Sequence, residues 1–159
     1  TTFNIKPEQT KACLDFLKNA YYKEPTSPQM KKQLNNIVFT CLEIGEDVPS
    51  DILQTFISTI GKNPFATATF GLYQFKIKHN LERGAYYYDK AIALARKSGE
   101  SSNAIEEIKL KKDIEHARAL LLQGDRRTSA RLLERCRKAS GGLLEGYRQK
   151  AESLLAECR

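Results

Sequence analysis

The stretch FGLYQFKIKHNLERGAYYYDKAIALA, Phe70 to Ala95, decides the fold of this 159-residue chain. Apolar residues recur with a helical period on both sides of a short polar turn, which predicts two helices joined as a hairpin. A glycine falls within each predicted helix, at Gly71 and Gly84. A missing side chain lets two helix backbones come close, and an aromatic ring then fills the space beside it. We therefore expect the two helices to touch at these glycines.

The remaining sequence is divided by proline, glycine and serine into further segments of helical period. In one of them, Leu34, Ile37, Val38, Cys41 and Leu42 form the apolar stripe of an amphipathic helix. No segment alternates as a strand would, so we predict an all-α fold. The eight predicted helices are Pro7–Tyr22, Pro28–Ile44, Pro49–Ile60, Phe65–Lys78, Leu81–Lys97, Asn103–Gln123, Arg126–Ala139 and Leu143–Glu157.

Buried faces and helix starts follow from the same patterns. Asn63 is expected to cap a helix whose first residue is Pro64. The first helix is expected to bury one apolar face and the third helix another. The predicted buried residues are Cys13, Phe16, Leu17 and Ala20 in the first helix, and Ile52, Leu53, Phe56, Ile57 and Ile60 in the third.

The four cysteines are Cys13, Cys41, Cys136 and Cys158. None forms a CxxC pair or a Cys/His cluster, so the sequence indicates no metal site. The first three lie in apolar helical stripes. We expect buried, reduced thiols, as in a cytoplasmic protein.

The spacing of the hairpins indicates a repeat. Gly45 and His79 occupy matching places in two predicted turns and lie 34 residues apart, which is the period of a tetratricopeptide repeat. Gly124 follows His79 by 45 residues because a longer loop and a longer helix intervene. Phe70–Ala95 resembles one such repeat at its packing positions, with the first glycine and leucine in swapped order. The matching residues are Gly71, Leu72 and Phe75, then Gly84, Tyr88 and Ala91, with weaker matches at Ser129, Leu133 and Cys136 and at Ser50, Gln54 and Ile57.

The resemblance implies a single domain over residues 1–159, built as a right-handed superhelical stack of antiparallel helix pairs, a TPR-like α-solenoid. Its repeat units would be residues 28–61, 64–97 and 104–139, with residues 7–22 and 143–157 as flanking helices. In this family the first helices of successive units line a concave groove that binds a peptide or a partner helix. The groove residues carried over by register are Lys32, Asn35, Phe39, Thr69, Tyr73, Lys76, Lys111 and Arg118.

Positive charge is concentrated in the second part of the chain. Residues 1–95 contain 11 lysines and arginines against 9 acids, whereas residues 96–159 contain 15 against 10. Helical spacing places Arg127, Arg131, Arg135 and Lys138 on one stripe. That stripe is either a solvated outer face or a surface for the phosphates of a nucleic acid.

We therefore expect this protein to act by binding a partner and not by catalysis. The sequence contains no catalytic triad, phosphate loop or metal-ligand motif, so we predict a scaffold for protein binding that is not an enzyme and needs no cofactor. A nucleic-acid-associated domain is the alternative. No apolar run reaches the length of a membrane span. We expect the chain to be part of a longer protein, and the terminal helices, with Leu143, Leu144, Leu154 and Leu155, to be able to form a homodimer.

Overall fold

The computed structural model describes residues 7–139 and 144–159. All regular structure in these residues is α-helical, with no strand, so the all-α prediction is confirmed. The described residues form eight helices: α1 (Pro7–Lys23), α2 (Pro28–Ile44), α3 (Ser50–Ile57), α4 (Pro64–Lys76), α5 (Leu81–Lys97), α6 (Ser102–Leu122), α7 (Arg126–Arg137) and α8 (Glu145–Glu157). None of them is long and apolar enough to cross a membrane.

Side-chain caps fix where most of the helices begin. The Asn63 carboxamide oxygen accepts hydrogen bonds from the amides of Phe65 and Ala66, 2.8 and 3.2 Å away, which confirms the predicted start of α4. Asn80 caps α5 and Asp125 caps α7 in the same way. Each cap satisfies a backbone donor that has no partner inside the helix. Predicted helix ends are less accurate: α3 ends three residues before Ile60, and the predicted start of α8 at position 143 lies outside the described residues.

The chain divides into two compact units at the Ile60–Gly61 bond. In the first unit, α2 packs against α1 and α3. Its predicted apolar stripe is confirmed, because all five residues are buried, and Met30 joins them. The hydroxyls of Tyr21 on α1 and Thr55 on α3 are 3.0 Å apart and hydrogen-bonded.

The predicted buried face of α1 is correct only in part, because Leu17 and Ala20 are partly buried and the other two residues are not. Phe16 is 72% exposed and Cys13 is exposed, while Leu14 and Tyr21 are the buried residues. Polar contacts hold the helix in this rotation: the Lys18 ammonium donates to a Glu46 carboxylate oxygen 3.2 Å away, and Lys11 pairs with the same carboxylate.

The buried face predicted for α3 is correct in part. Ile52 and Phe56 are fully buried. Ile57 is 40% exposed, however, because α3 ends at this residue and the following residues form turns. Leu53 and Ile60 are partly buried.

In the second unit, each helix from α4 to α8 packs against the next. Two residue pairs in each of three contacts show that the helices run antiparallel: Phe70 with Tyr87 and Phe75 with Gly84 between α4 and α5, Ala117 with Ser129 and Asp113 with Arg135 between α6 and α7, and Cys136 with Tyr147 and Ser129 with Cys158 between α7 and α8. Two further contacts skip one helix, because α4 also touches α6 and α6 touches α8. The first helices of successive hairpins thus lie beside one another.

The contact between α4 and α5 is made by two glycines and two aromatic rings. A methyl group on Gly84 would lie 2.5 Å from the Phe75 ring, and one on Gly71 would lie 2.7 Å from the Tyr88 ring. Phe75 and Tyr88 stack with ring centroids 5.8 Å apart. Each helix therefore supplies a ring to the gap left by the other helix's glycine, which confirms the predicted close approach.

The helices α6, α7 and α8 share a second apolar cluster. Leu110, Ala117, Leu133, Cys136 and Ala151 are all buried in it. Ser129 is also fully buried, and its hydroxyl donates to the carbonyl of Ala117 2.9 Å away. A small polar residue therefore sits at this helix contact, and its hydrogen-bonding group is satisfied.

Candidate partner-binding cleft

Three of the predicted groove residues lie on α2 in the first unit. Lys32 is exposed, and Asn35 and Phe39 are partly buried. The Asn35 Oδ1 atom is buried and has no hydrogen-bond partner among the described residues.

Thr69 and Tyr73 on α4 were predicted to line the groove, and the structure places both among the buried residues. They are only 6% and 9% exposed. Every residue of α4 from Ala66 to Phe75 is buried, so no side of the helix is open over that length. The Thr69 hydroxyl donates to the Phe65 carbonyl of its own helix, 3.0 Å away. Neither side chain is offered to a partner in this structure.

The other three predicted groove residues keep part of their surface open. Lys76, Lys111 and Arg118 are partly buried. The Lys111 ammonium lies 3.9 Å from a Glu107 carboxylate oxygen, and the Arg118 guanidinium lies 3.3 Å from Glu115. A partner carboxylate would therefore have to compete with these local ion pairs.

The predicted basic stripe on α7 is divided by one ion pair. Arg127, Arg131 and Lys138 are exposed. Arg135 instead donates two hydrogen bonds to Asp113 on α6, of 2.9 and 2.7 Å. These hydrogen bonds raise the pKa of Arg135. The bidentate pair uses two of the five guanidinium N–H donors and offsets the charge of Arg135, so this residue is a weaker phosphate ligand than Arg127 or Arg131 in this arrangement.

Asp113 is a buried residue of the candidate cleft that the sequence reasoning missed. It is 6% exposed and lies on the buried side of α6 with Leu110, Ile114 and Ala117. An acidic residue within an apolar stripe was the available signal, because a buried carboxylate requires a partner.

An open cleft of about 630 Å³ lies between α5, α6 and α7. This size is within the usual range for ligand sites. Of the predicted site residues, only Arg135 and Lys138 lie along it. The cleft is lined by Asp89, Ile92 and Arg96 of α5, by Glu106, Lys109, Leu110, Lys112 and Asp113 of α6, and by Arg135, Lys138 and Ala139.

The base of the cleft is apolar and its walls are charged. Ile92 and Leu110 are buried, and Ala139 is partly buried. The Lys112 ammonium lies 2.6 Å from Asp89, which joins α6 to α5. The Asp113–Arg135 pair joins α6 to α7 in the same way. Two cross-helix ion pairs thus span the walls of the cleft.

Two cations of the cleft remain without an ion-pair partner among the residues that the structure describes. Arg96 lies in the last turn of α5, and Lys138 caps the C-terminal end of α7. Both are exposed. The cleft contains five cations and three carboxylates, so two positive charges are in excess.

His116 lies on α6 close to these charges but belongs to the core. Its ring stacks on Phe75 with centroids 5.2 Å apart. Burial lowers its pKa, and the nearby Lys112 lowers it further. The imidazole is therefore favoured in its neutral form.

The sequence matches no protein-family model, and comparisons with curated proteins and with solved structures find no match. Within residues 7–139 and 144–159, no group of three or more His, Cys, Asp or Glu residues is placed to hold a metal ion.

Proposed function

We propose that this chain is a tetratricopeptide-like scaffold that binds another protein, and that the cleft between α5, α6 and α7 is its binding site. The antiparallel packing of successive helices supports the repeat architecture, as do the contacts of α4 with α6 and of α6 with α8. The glycine–aromatic contacts of the α4–α5 hairpin occur at the positions where such repeats place small and aromatic residues.

The observation that carries the proposal is the composition of the cleft. An apolar base provides area for a partner side chain, and exposed cations at Arg96 and Lys138 fix its orientation. The groove predicted from the repeat register is the less favoured surface, because Thr69 and Tyr73 are buried.

Site-specific photo-crosslinking tests this function without changing the charge of the cleft. A benzoylphenylalanine is introduced at Ala139, which lines the cleft, and in a separate variant at Ala93, which is exposed on α5 outside it. We expect one protein to be crosslinked in cells from position 139 but not from position 93. The same probe at Lys111 reports on the predicted groove. Crosslinking from Lys111 alone would move the site to that groove, and none from any position would contradict protein binding.

Nucleic-acid binding is the second candidate, favoured by Arg127 and Arg131. Both are exposed and have no ion pair with another described residue. Phosphate binding would weaken steeply as salt is added. We expect a labelled single-stranded oligonucleotide to bind only weakly at physiological salt. Tight binding that is lost in Arg127→Gln with Arg131→Gln would establish the alternative.

A further inference from the structure

We infer that the occupant of the cleft is an acidic protein segment, which places carboxylates on Arg96 and Lys138 and an apolar side chain over Ile92 and Leu110. This inference rests on the proposed function and names the chemistry of the partner. It follows from how the charges of the cleft are already paired, and not from net charge alone.

Each carboxylate of the cleft has its own cation. Asp89 pairs with Lys112 at 2.6 Å, and Asp113 with Arg135 at 2.7 Å. Glu106 lies 4.0 Å from Lys109, one helical turn away. A basic partner would therefore have to share a carboxylate whose charge an internal cation already offsets, and it would gain less from the ion pair. An acidic partner meets two cations that no internal carboxylate holds.

The paired charges also keep the site open. Lys112 and Arg135 reach from one helix to another, so their ion pairs brace α5 against α6 and α6 against α7. A site that is already formed loses less conformational entropy when a ligand binds. The cations that join the helices, Lys112 and Arg135, are not the ones proposed to bind the ligand. A ligand can therefore bind Arg96 and Lys138 without breaking the ion pairs between the helices.

The apolar base favours a protein segment over a phosphate backbone. Ile92 and Leu110 lie in the same cleft as the two cations. Both are already mostly buried, 8% and 3% exposed, so the gain comes from the partner: a leucine or similar side chain placed over them gains roughly 25 cal/mol for each Å² of its own apolar surface removed from water. Among the residues that the structure describes, no aromatic side chain lines the cleft to stack on a base.

The test is a titration of the isotope-labelled full chain, followed by NMR. The probe is a short peptide of Glu, Leu and Gly, compared with matched peptides in which Lys replaces Glu or Ser replaces Leu. We expect the Glu–Leu peptide to bind at least about tenfold more tightly than either of the others. Shifted amide signals are expected around Arg96, Lys138 and Ala139.

A matched pair of variants separates the cleft from general attraction between charges. Arg96→Gln with Lys138→Gln should weaken the Glu–Leu peptide about tenfold or more. Arg127→Gln with Arg131→Gln removes the same charge outside the cleft and should leave binding within about twofold. Equal losses in both variants, or equal binding of the Lys–Leu peptide, would overturn the inference. If the oligonucleotide displaces the acidic peptide from the cleft, the nucleic-acid interpretation replaces it.

The inference and the proposed function can fail separately. A protein that is crosslinked from position 139 and still binds Arg96→Gln with Lys138→Gln unchanged would keep the scaffold function but overturn the acidic partner. An absence of crosslinking would instead contradict the scaffold function itself.

Discussion

At the scale of single residues, Gly84 is the strictest position in the α4–α5 hairpin. The Phe75 ring beside it cannot easily move away, because it stacks on Tyr88 on one side and on His116 on another. We predict that Gly84→Leu lowers the free energy of unfolding by roughly 1–3 kcal/mol or more, since the added side chain overpacks this contact. Urea denaturation followed by circular dichroism measures the change.

The control for Gly84 is Ala93→Leu, at an exposed position on the same helix. We expect it to change the stability little. A second check compares Gly84→Ala alone with Gly84→Ala combined with Phe75→Leu. Because leucine is smaller than phenylalanine, the double variant should recover part of the stability that Gly84→Ala loses. Unchanged stability in Gly84→Leu would mean that α4 and α5 are not in close contact there.

His116 should make the stability depend on pH. Its pKa in the folded chain is lowered from 6.5, first by burial and then by Lys112. The unfolded chain therefore binds a proton at a higher pH than the folded chain does. The contribution to stability is complete above about pH 6.5 and declines as the pH falls toward the folded pKa. We predict a lower urea midpoint at pH 5.5 than at pH 7.5.

Substitution of each histidine identifies the source of that pH dependence. His116→Phe retains a ring to stack on Phe75 and should remove the decline between pH 7.5 and 5.5. His79→Gln, in the exposed turn after α4, should retain it. A decline that persists in His116→Phe would assign the effect to other groups.

The sequence patterns predicted contacts within one hairpin better than ion pairs between residues that are distant in the sequence. Gly71 and Gly84 could be recognised because small residues beside aromatic residues at helical spacing indicate a close contact. The pairing of Asp113 with Arg135 could not, because 22 residues and a turn separate the two. Helical spacing placed Arg135 on a basic stripe without showing which neighbouring helix would meet it.

At the scale of the helix, α1 shows the limit of hydrophobic periodicity. Cys13, Phe16, Leu17 and Ala20 form a consistent apolar stripe, but Leu14 and Tyr21 are the buried residues. Cys13 and Phe16 lie about a third of a turn around the helix axis from Leu14 and Tyr21. The Lys18–Glu46 hydrogen bond and the Tyr21–Thr55 hydrogen bond fix the rotation, and both depend on residues of other elements. In α2, by contrast, the stripe alone was sufficient.

The rotation of α1 predicts a graded reactivity of the thiols. Cys13 is exposed, whereas Cys41 and Cys136 are buried. Burial raises the pKa of Cys41, and it raises the pKa of Cys136 to about 11, so their reactive thiolates are scarce at neutral pH. We predict that iodoacetamide modifies Cys13 well before either of them, as measured by mass spectrometry of the peptides. Equal rates in denaturant are the control, and rapid modification of Cys136 in the folded chain would contradict its burial.

At the scale of the whole molecule, the class of fold could be predicted but the site could not. The order of eight helices follows from caps and breakers near each turn. The cleft depends on three different helices, and most of its lining residues, Arg96 among them, carried no signal in the sequence. The register of the repeat placed Thr69 and Tyr73 on an open face, whereas every residue of α4 from Ala66 to Phe75 is buried, the polar Thr67 and Gln74 included.

The proposed stack of hairpins in the second unit predicts local unfolding. Ala151 is fully buried in the cluster that joins α8 to α6 and α7. In a stack, each hairpin is stabilised mainly by its neighbours. Ala151→Arg should therefore speed hydrogen exchange in α8 and in α7, while the amides of α4 and α5 keep their protection.

Ser153→Arg is the control for Ala151→Arg, because it adds the same side chain at an exposed position of α8. We expect it to leave exchange unchanged. If Ala151→Arg instead exposes the amides of α4 and α5 together with those of α8, the helices unfold as one cooperative body, and the stacked architecture is contradicted.

The packing of an aromatic ring from each helix against a glycine of the other, in the α4–α5 hairpin, also constrains how this sequence can evolve. The nearest atoms to a methyl group on Gly84 all belong to the Phe75 ring, whereas a methyl group on Gly71 would meet both the Tyr88 ring and the Gly84 carbonyl oxygen, 3.0 Å away. A descendant that acquires a larger residue at position 84 must first, or at the same time, lose the ring of Phe75. Such lineages should inherit Gly84 and Phe75 as a linked pair that spans both helices, whereas position 71 can enlarge only if Tyr88 and the spacing of the two helices change together.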